Sequence, residues 1–335
     1  MKLQFPTTQE ITHIVRNRAT DPKRYVGARF APLVQVYQDS IEYDELEATT
    51  GMTSAHNLST DPKLVKTPGL TQKRVGTAYF KETIRFDEAH LLKARRAGTL
   101  NERAGRDLVL QGAVHLDTRL ETRLEYLRFQ AVSDGKISIN DNSVKINVDY
   151  SLPTLTTLSG TKKWGAADAD PVSDISDLLE SFIGTGTQCK EIYLNSATAR
   201  KAAESPKMID LLKQSGFALL LSMSRYAECL KSLFPSVDFI IYDEGYADDK
   251  GIFKKFLADG FLVALGDSAD ISDPVMDFAT TISLHNGGLE KPQPGKFSLV
   301  DDKSADKNPF VDLTVGIYGL PRIFKPKAIQ RLKAL

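Results

Sequence analysis

The chain has 335 residues, 43 basic against 43 acidic side chains, and 41% hydrophobic residues. That composition excludes a disordered tail, and it excludes a general nucleic-acid coat, whose affinity depends on surplus cations meeting phosphate. Near-neutrality instead favours protein partners, because many identical copies would repel one another little. Two cysteines, Cys189 and Cys229, are too few for a disulfide-built scaffold, form no CxxC pair, and are read as reduced core residues. Met1 to Glu10 has no apolar run, and no stretch approaches about 18 apolar residues, so neither a signal peptide nor a membrane span is expected.

In chain order, residues 1–46 mix short apolar runs with charges. Phe30 to Tyr37 reads as one extended element after a turn at Gly27, and Tyr25, Phe30, Tyr37 and Tyr43 read as anchors. This segment is either an arm laid on something else or an irregular layer on its own core. From Ala48 to Gly76 the text is polar and punctuated by Gly and Pro, which predicts a loop or projecting hairpin. The alternation from Arg74 to Phe86 supplies its returning strand.

The strongest periodic signal follows. Val109, Ala113, Leu116, Leu120, Leu124, Leu127 and Ala131 recur in steps of three or four. They predict one amphipathic helix over 101–133, roughly 45 Å long at 1.5 Å per residue. Its other face carries Arg103, Asp107, Asp117, Arg119, Glu121, Arg123, Glu125 and Arg128 and is expected to be solvated or to lie between subunits. Gly135 ends the helix, and a short hairpin around Asp141-Asn142 comes next.

A domain boundary is expected near residue 170. Beyond it, helices are predicted at Val172–Ile183, Asn195–Glu204, Lys207–Lys213 and Ser222–Leu233. Strands are predicted at Glu191–Leu194, Val237–Tyr242, Gly260–Leu265, Met276–Ser283 and Val311–Ile317. Residues 172–315 hold 14 basic against 22 acidic side chains, whereas the last twenty residues carry Arg322, Lys325, Lys327, Arg331 and Lys333 and no acid. Such segregation could steer contacts between copies, although acid-rich exposed loops need no function.

The chemistry-bearing residues do not assemble into a local catalytic motif. His13, His56, His90, His115 and His285 give no HxxH or HExxH, and there is no P-loop, GxGxxG or GxSxG. Gly184-Thr-Gly-Thr187 is the nearest approach to a phosphate loop, with Cys189 where a further glycine would fall. The carboxylates Asp168, Asp170, Asp174 and Asp177, then Asp243, Glu244, Asp248 and Asp249, then Asp267, Asp270 and Asp273, match no calcium loop and read as turns and helix starts. No catalytic, cofactor-binding or metal site is expected. Lys63, Lys66, Lys73 and Arg74 form a basic cluster on the projection, suited equally to nucleic acid and to a neighbouring subunit's acids. With Arg119 and Arg123 on the long helix they are candidate contacts between subunits.

The order of elements resembles the lambda-type major capsid protein family of tailed bacteriophages, the phage major capsid protein E family. The resemblance rests on Gly76-Thr-Ala-Tyr-Phe-Lys-Glu-Thr-Ile-Arg85 before the long helix and on Leu127-Arg-Phe-Gln-Ala-Val-Ser-Asp-Gly-Lys-Ile-Ser-Ile139 at its end. It continues with Trp164 ahead of Asp170-Pro171, and with Gly316-Ile-Tyr-Gly-Leu-Pro-Arg-Ile-Phe-Lys-Pro326. It implies an α+β, Hong Kong 97-like (HK97-like) capsid fold. The implied parts are an N-terminal arm at 1–46, an extended loop at 47–86, a peripheral domain at 87–171 with spine helix 101–133, an axial domain at 172–315, and a return to the peripheral domain at 316–335. The implied function is self-assembly into hexamers and pentamers that form an icosahedral shell around double-stranded DNA, with scaffold, portal and decoration proteins as partners. Assembly would take place in the bacterial cytoplasm and the product would reside in the virion. An encapsulin-like compartment or prophage remnant is the alternative, and an α/β enzyme the more distant one.

Overall fold

The computed structural model describes residues 6–46, 52–53, 55, 61, 70–93, 102–141, 144–214, 223–267, 274–286, 288, 290–303 and 306–335. The chain is α+β and divides into two compact units, one of residues 1–41, 74–128 and 278–322, the other of 42–73, 129–277 and 323–335. Of the expected loop at 47–86, residues 47–51, 54, 56–60 and 62–69 lie outside the described residues, Lys63 and Lys66 among them.

The first unit is built on a sheet whose middle strand is Phe310–Ile323. Val311, Leu313, Val315 and Ile317 alternate inward along it and are buried, as period-two patterning requires. Phe297–Lys303 and Tyr79–Asp87 pair antiparallel with its two sides. Met276–Thr280 also joins this strand and carries Leu33–Gln35 in parallel on its far side, where the sheet ends. The helix Thr8–Asn17 starts with a capping box between Thr7 and Glu10, and it buries Ile11 and Val15. It is fixed to the strand Phe297–Lys303 by Thr12 and Ser298, whose hydroxyl oxygens lie 2.8 Å apart.

The element expected over Phe30–Tyr37 is shorter than predicted. Gly27–Phe30 forms a helical turn closed by Ala31 N donating to Gly27 O at 2.9 Å, and strand pairing is confined to Leu33–Gln35. Pro32 has no N–H with which to continue the turn, so the backbone changes direction there. Tyr25 and Tyr43 are buried as anchors, but Tyr37 is 70% exposed.

The long helix spans Glu102–Ser133, and its periodic apolar positions Val109, Ala113, Leu116, Leu120, Leu124, Leu127 and Ala131 are buried. Gly135 follows in the left-handed region at φ 72°, a conformation glycine adopts without the Cβ clash, and Lys136–Asp141 turns back on Val144–Asp149 as the expected hairpin.

The second unit has a five-stranded sheet in the order Thr156–Thr157, Ile329–Lys333, Phe261–Asp267, Gln188–Leu194, Asp238–Ile241. Ile192, Leu194, Leu262 and Ala264 pack with Ile175, Leu178, Ala199, Met208, Tyr226 and Leu230 from the helices Pro171–Glu180, Ser196–Ala203, Pro206–Gln214 and Met223–Leu233. Phe129 stacks on Tyr242 at 4.9 Å and meets the Tyr193 ring edge-on at 5.9 Å, so an aromatic cluster forms a further part of the interior. The chain's last strand, Ile329–Lys333, is an inner strand of this sheet, antiparallel to Phe261–Leu265. Residues 323–335 are grouped with 129–277 in this unit.

Candidate functional site

The charged face of the long helix is exposed at Asp107 and Arg119, as expected, but not along its whole length. Asp117, Glu121, Glu125 and Arg128 are all buried in the first unit, where a solvated or inter-subunit face was expected. Each is kept there by a partner. Lys296 donates to Asp117 Oδ1 at 2.6 Å and also pairs with Glu121. Arg18 Nη1 reaches Asp117 Oδ2 at 2.9 Å. Glu125 accepts the Gly27 backbone N–H at 2.7 Å and lies 3.4 Å from Arg128 Nη1. Arg128 Nε donates to Ala31 O at 3.0 Å, and its guanidinium stands 5.5 Å over the Phe278 ring.

Three carboxylates thus face three cations, and the formal charges cancel. Ions buried in this way persist only when paired and hydrogen-bonded, because desolvation of a lone charge costs several kcal/mol. The arrangement ties residues 18–31 and Lys296 to one helix. A cavity of about 500 Å³ opens beside it, with Arg16, Arg18, Leu33, Gln35, Arg128 and Lys296 in its wall. Arg16 donates from Nε to Lys296 O at 2.8 Å and from Nη2 to Pro294 O at 3.2 Å, and burial pulls its pKa down.

Of the residues nominated from sequence, Arg119 and Arg123 lie on the long helix of the first unit. Arg119 forks onto Glu82, with Nη2 to Oε1 at 2.7 Å, and this hydrogen bond is the main reason that the Glu82 carboxyl sits below its usual range. Arg123 lies with its guanidinium 5.3 Å over Phe80 and 5.6 Å over Tyr126. These two arginines are therefore brought together against the strand Tyr79–Asp87. Lys73 belongs to the second unit, where it pairs with Glu45 and donates to Asp149 O at 3.0 Å and Ser151 Oγ at 2.9 Å. Arg74 is exposed at the end of its strand.

The acidic stretches resolve into structural roles. Asp170 caps the helix Pro171–Glu180 and binds Lys207 at 2.5 Å. Asp174 accepts the Trp164 indole N–H at 2.8 Å, and burial raises its pKa. Asp243 accepts from Ser196 and pairs with Lys255 at 3.1 Å. Asp270 and Asp273 lie outside the described residues. In the Gly184–Thr187 turn the hydroxyls of Thr185 and Thr187 are buried against each other at 2.9 Å. Among the described residues no group of His, Cys, Asp and Glu could hold a metal ion, and no helix is long and apolar enough to cross a membrane.

The geometry is that of a shell protein of the Hong Kong 97-like capsid class. An E. coli CFT073 prophage chain assigned as a capsid protein superposes with a TM-score of 0.66 over 99% of this chain and 100% of its own, at 14% identity. A phage-related protein of Bordetella bronchiseptica RB50 gives 0.58 over 99% and 98%, at 12% identity. The capsid of cyanophage P-SCSP1u gives 0.53 over 95% and 90%, at 9% identity. The family model described as phage major capsid protein E matches residues 7–272, well over half of the chain. The chain belongs to the phage major capsid protein E family, a family of structural shell-forming proteins rather than enzymes.

Proposed function

We propose that this chain is the major head protein of a tailed phage or prophage. In this reading it self-assembles into hexamers and pentamers that close into an icosahedral shell around double-stranded DNA. The observation that carries the reading is family membership over residues 7–272 in a chain with the capsid fold from end to end. The balance of 43 basic against 43 acidic side chains supports containment by enclosure more than by phosphate binding. A scaffold, a portal and a decoration protein are the partners this function calls for, and the virion, built in the bacterial cytoplasm, is its location.

Within that role, residues 1–46 are assigned to the arm, 47–86 to the extended loop, 87–171 to the peripheral domain with spine helix 101–133, 172–315 to the axial domain and 316–335 to the closing return. The length of the helix Glu102–Ser133 supports a spine. The strand Ile329–Lys333 pairs with Thr156–Thr157, within the span assigned to the peripheral domain, and with Phe261–Leu265, within the axial span. Lys63, Lys66, Lys73, Arg74, Arg119 and Arg123 are assigned to contacts between copies.

Negative-stain microscopy and sedimentation of the purified chain test the reading. Closed shells, tubes or rings of five and six are the expected result. A chain that stays monomeric or dimeric, alone and with its scaffold, overturns it.

A further inference from the structure

We infer that the edge of the strand Leu33–Gln35, together with Arg16 beside it, is a contact surface for an extended, acid-bearing segment of a second copy of this chain. The inference rests on the shell-forming function and names a surface for it.

The backbone supports it first. Phe278 N donates to Pro32 O at 2.9 Å and Val36 N donates to Thr280 O at 2.8 Å, so the even-numbered residues of this strand face their parallel neighbour. Alternation then turns the N–H and C=O groups of Leu33 and Gln35 the other way. The strand is the last in its sheet among the described residues. Such an edge is a template for another strand, and soluble proteins usually blunt it with charge, proline or a covering element. Among the described residues no further strand pairs with it. Leu33 is 42% exposed, Val34 36% and Tyr37 70%, which places apolar surface where pairing would bury it.

Charge identifies the occupant. Arg18, Lys296 and Arg128 are balanced by Asp117, Glu121 and Glu125. Arg16 shares the cavity wall with Leu33 and Gln35, and its partners are the carbonyl oxygens of Lys296 and Pro294, which carry no formal charge. Among the described residues Arg16 meets no carboxylate, and a cation beside a strand edge is complementary to an acid on an incoming strand. Within this neutral chain residues 172–315 hold 22 acidic against 14 basic side chains, and a protein that assembles with itself presents that acidic segment from each neighbour.

Amide hydrogen exchange on assembled and unassembled full-length chain tests this, with sedimentation of Gln35→Pro, Gln35→Ala and Arg16→Gln variants. Proline removes an N–H that no described residue accepts, at an edge position where proline is tolerated. Expected are slowed exchange at the Leu33 and Gln35 amides on assembly, and association about tenfold weaker for Gln35→Pro, the order of a lost strand hydrogen bond with its buried surroundings. Gln35→Ala assembles normally, Arg16→Gln reduces the salt dependence of assembly, and unassembled Gln35→Pro melts like the parent. Shells that form with these amides unprotected, or equally well from Gln35→Pro, overturn the inference and leave the shell function standing. Protection that requires a different added protein assigns the edge to that protein and also overturns it. A parent chain that forms no oligomer overturns both.

Discussion

Lys296 sits between two buried carboxylates, donating to Asp117 Oδ1 at 2.6 Å and pairing with Glu121, and none of the three side chains is more than 7% exposed. With Arg18 on the other oxygen of Asp117, this pairing holds the N-terminal segment and the Lys296 loop to the long helix. Its value lies less in net Coulomb attraction than in the penalty for leaving either sign alone.

Replacing Lys296 with Met should therefore cost about 3–5 kcal/mol of unfolding stability, because it strands buried carboxylates. A triple change, Lys296→Met with Asp117→Asn and Glu121→Gln, should recover much of that loss. Urea unfolding of unassembled chain measures both. A Lys296→Met variant within about 1 kcal/mol of the parent would mean that water reaches the site and that the network does not hold the layer down.

Trp164 is the sole tryptophan, and its indole N–H donates to Asp174. Burial, opposed by that hydrogen bond, raises the Asp174 pKa above its usual 3.8. The sign follows from linkage. A carboxyl raised in the folded state penalises folding above its folded pKa, and the penalty disappears once pH has fallen below the unfolded value. Asp174→Asn keeps an oxygen to accept the indole proton, so it should match or exceed the parent's stability at pH 7, with the advantage vanishing in acid. Asp174→Ala leaves the N–H without its acceptor and should cost about 1–3 kcal/mol. Trp164 fluorescence in the parent should titrate with a midpoint above 3.8, and an unchanged signal through that range would contradict the assignment.

How far the sequence predicts these features depends on the range of the interaction. The long helix and the helices of the second unit were legible because apolar residues recur within each segment, as from Val109 to Ala131. The helix Thr8–Asn17 was missed, although Thr7 and Glu10 carry a capping-box signature that could have marked its start. Ile329–Lys333 was passed over because Arg331 interrupts it. That guanidinium is accommodated by the carbonyls of Ser133, at 3.1 Å, and Pro153, at 2.5 Å, which lie far off in sequence. Asp117 and Glu121 looked solvated for the same reason, since Lys296 is 179 residues from Asp117. Periodicity reports a segment's own burial but carries no record of a distant counter-ion.

Arg119 and Glu82 offer a contrast with the buried network. Their side chains are 57% and 49% exposed, and forked surface pairs of this kind contribute at most about 1 kcal/mol. The Arg119 hydrogen bond lowers the Glu82 pKa, so the pair's contribution is present above the unfolded value and is lost as pH falls through the folded one. Arg119→Ala should barely move the melting temperature of unassembled chain. If Arg119 and Arg123 serve contacts between copies, Arg119→Glu should reduce assembly measured by sedimentation far more than it changes unfolding. Equal losses in both would return Arg119 to a purely internal role.

The two thiols should be slow to react in the native chain. Burial lifts the Cys189 thiol to about 12, with Glu191 adding to the shift, and burial also raises Cys229. Only the thiolate attacks a disulfide reagent, so at pH 8 the reactive fraction of each cysteine is far below that of an exposed one. Both cysteines are free in the fold. Titration with an aromatic disulfide reagent should therefore register little thiol before denaturation and both cysteines after it. A burst from the native chain would place a thiolate at the surface and contradict the burial of these residues, whereas missing thiol after denaturation would reveal oxidation between chains. Either result is read from the same absorbance trace, and a Cys229→Ala variant assigns whatever burst appears to one of the two sites.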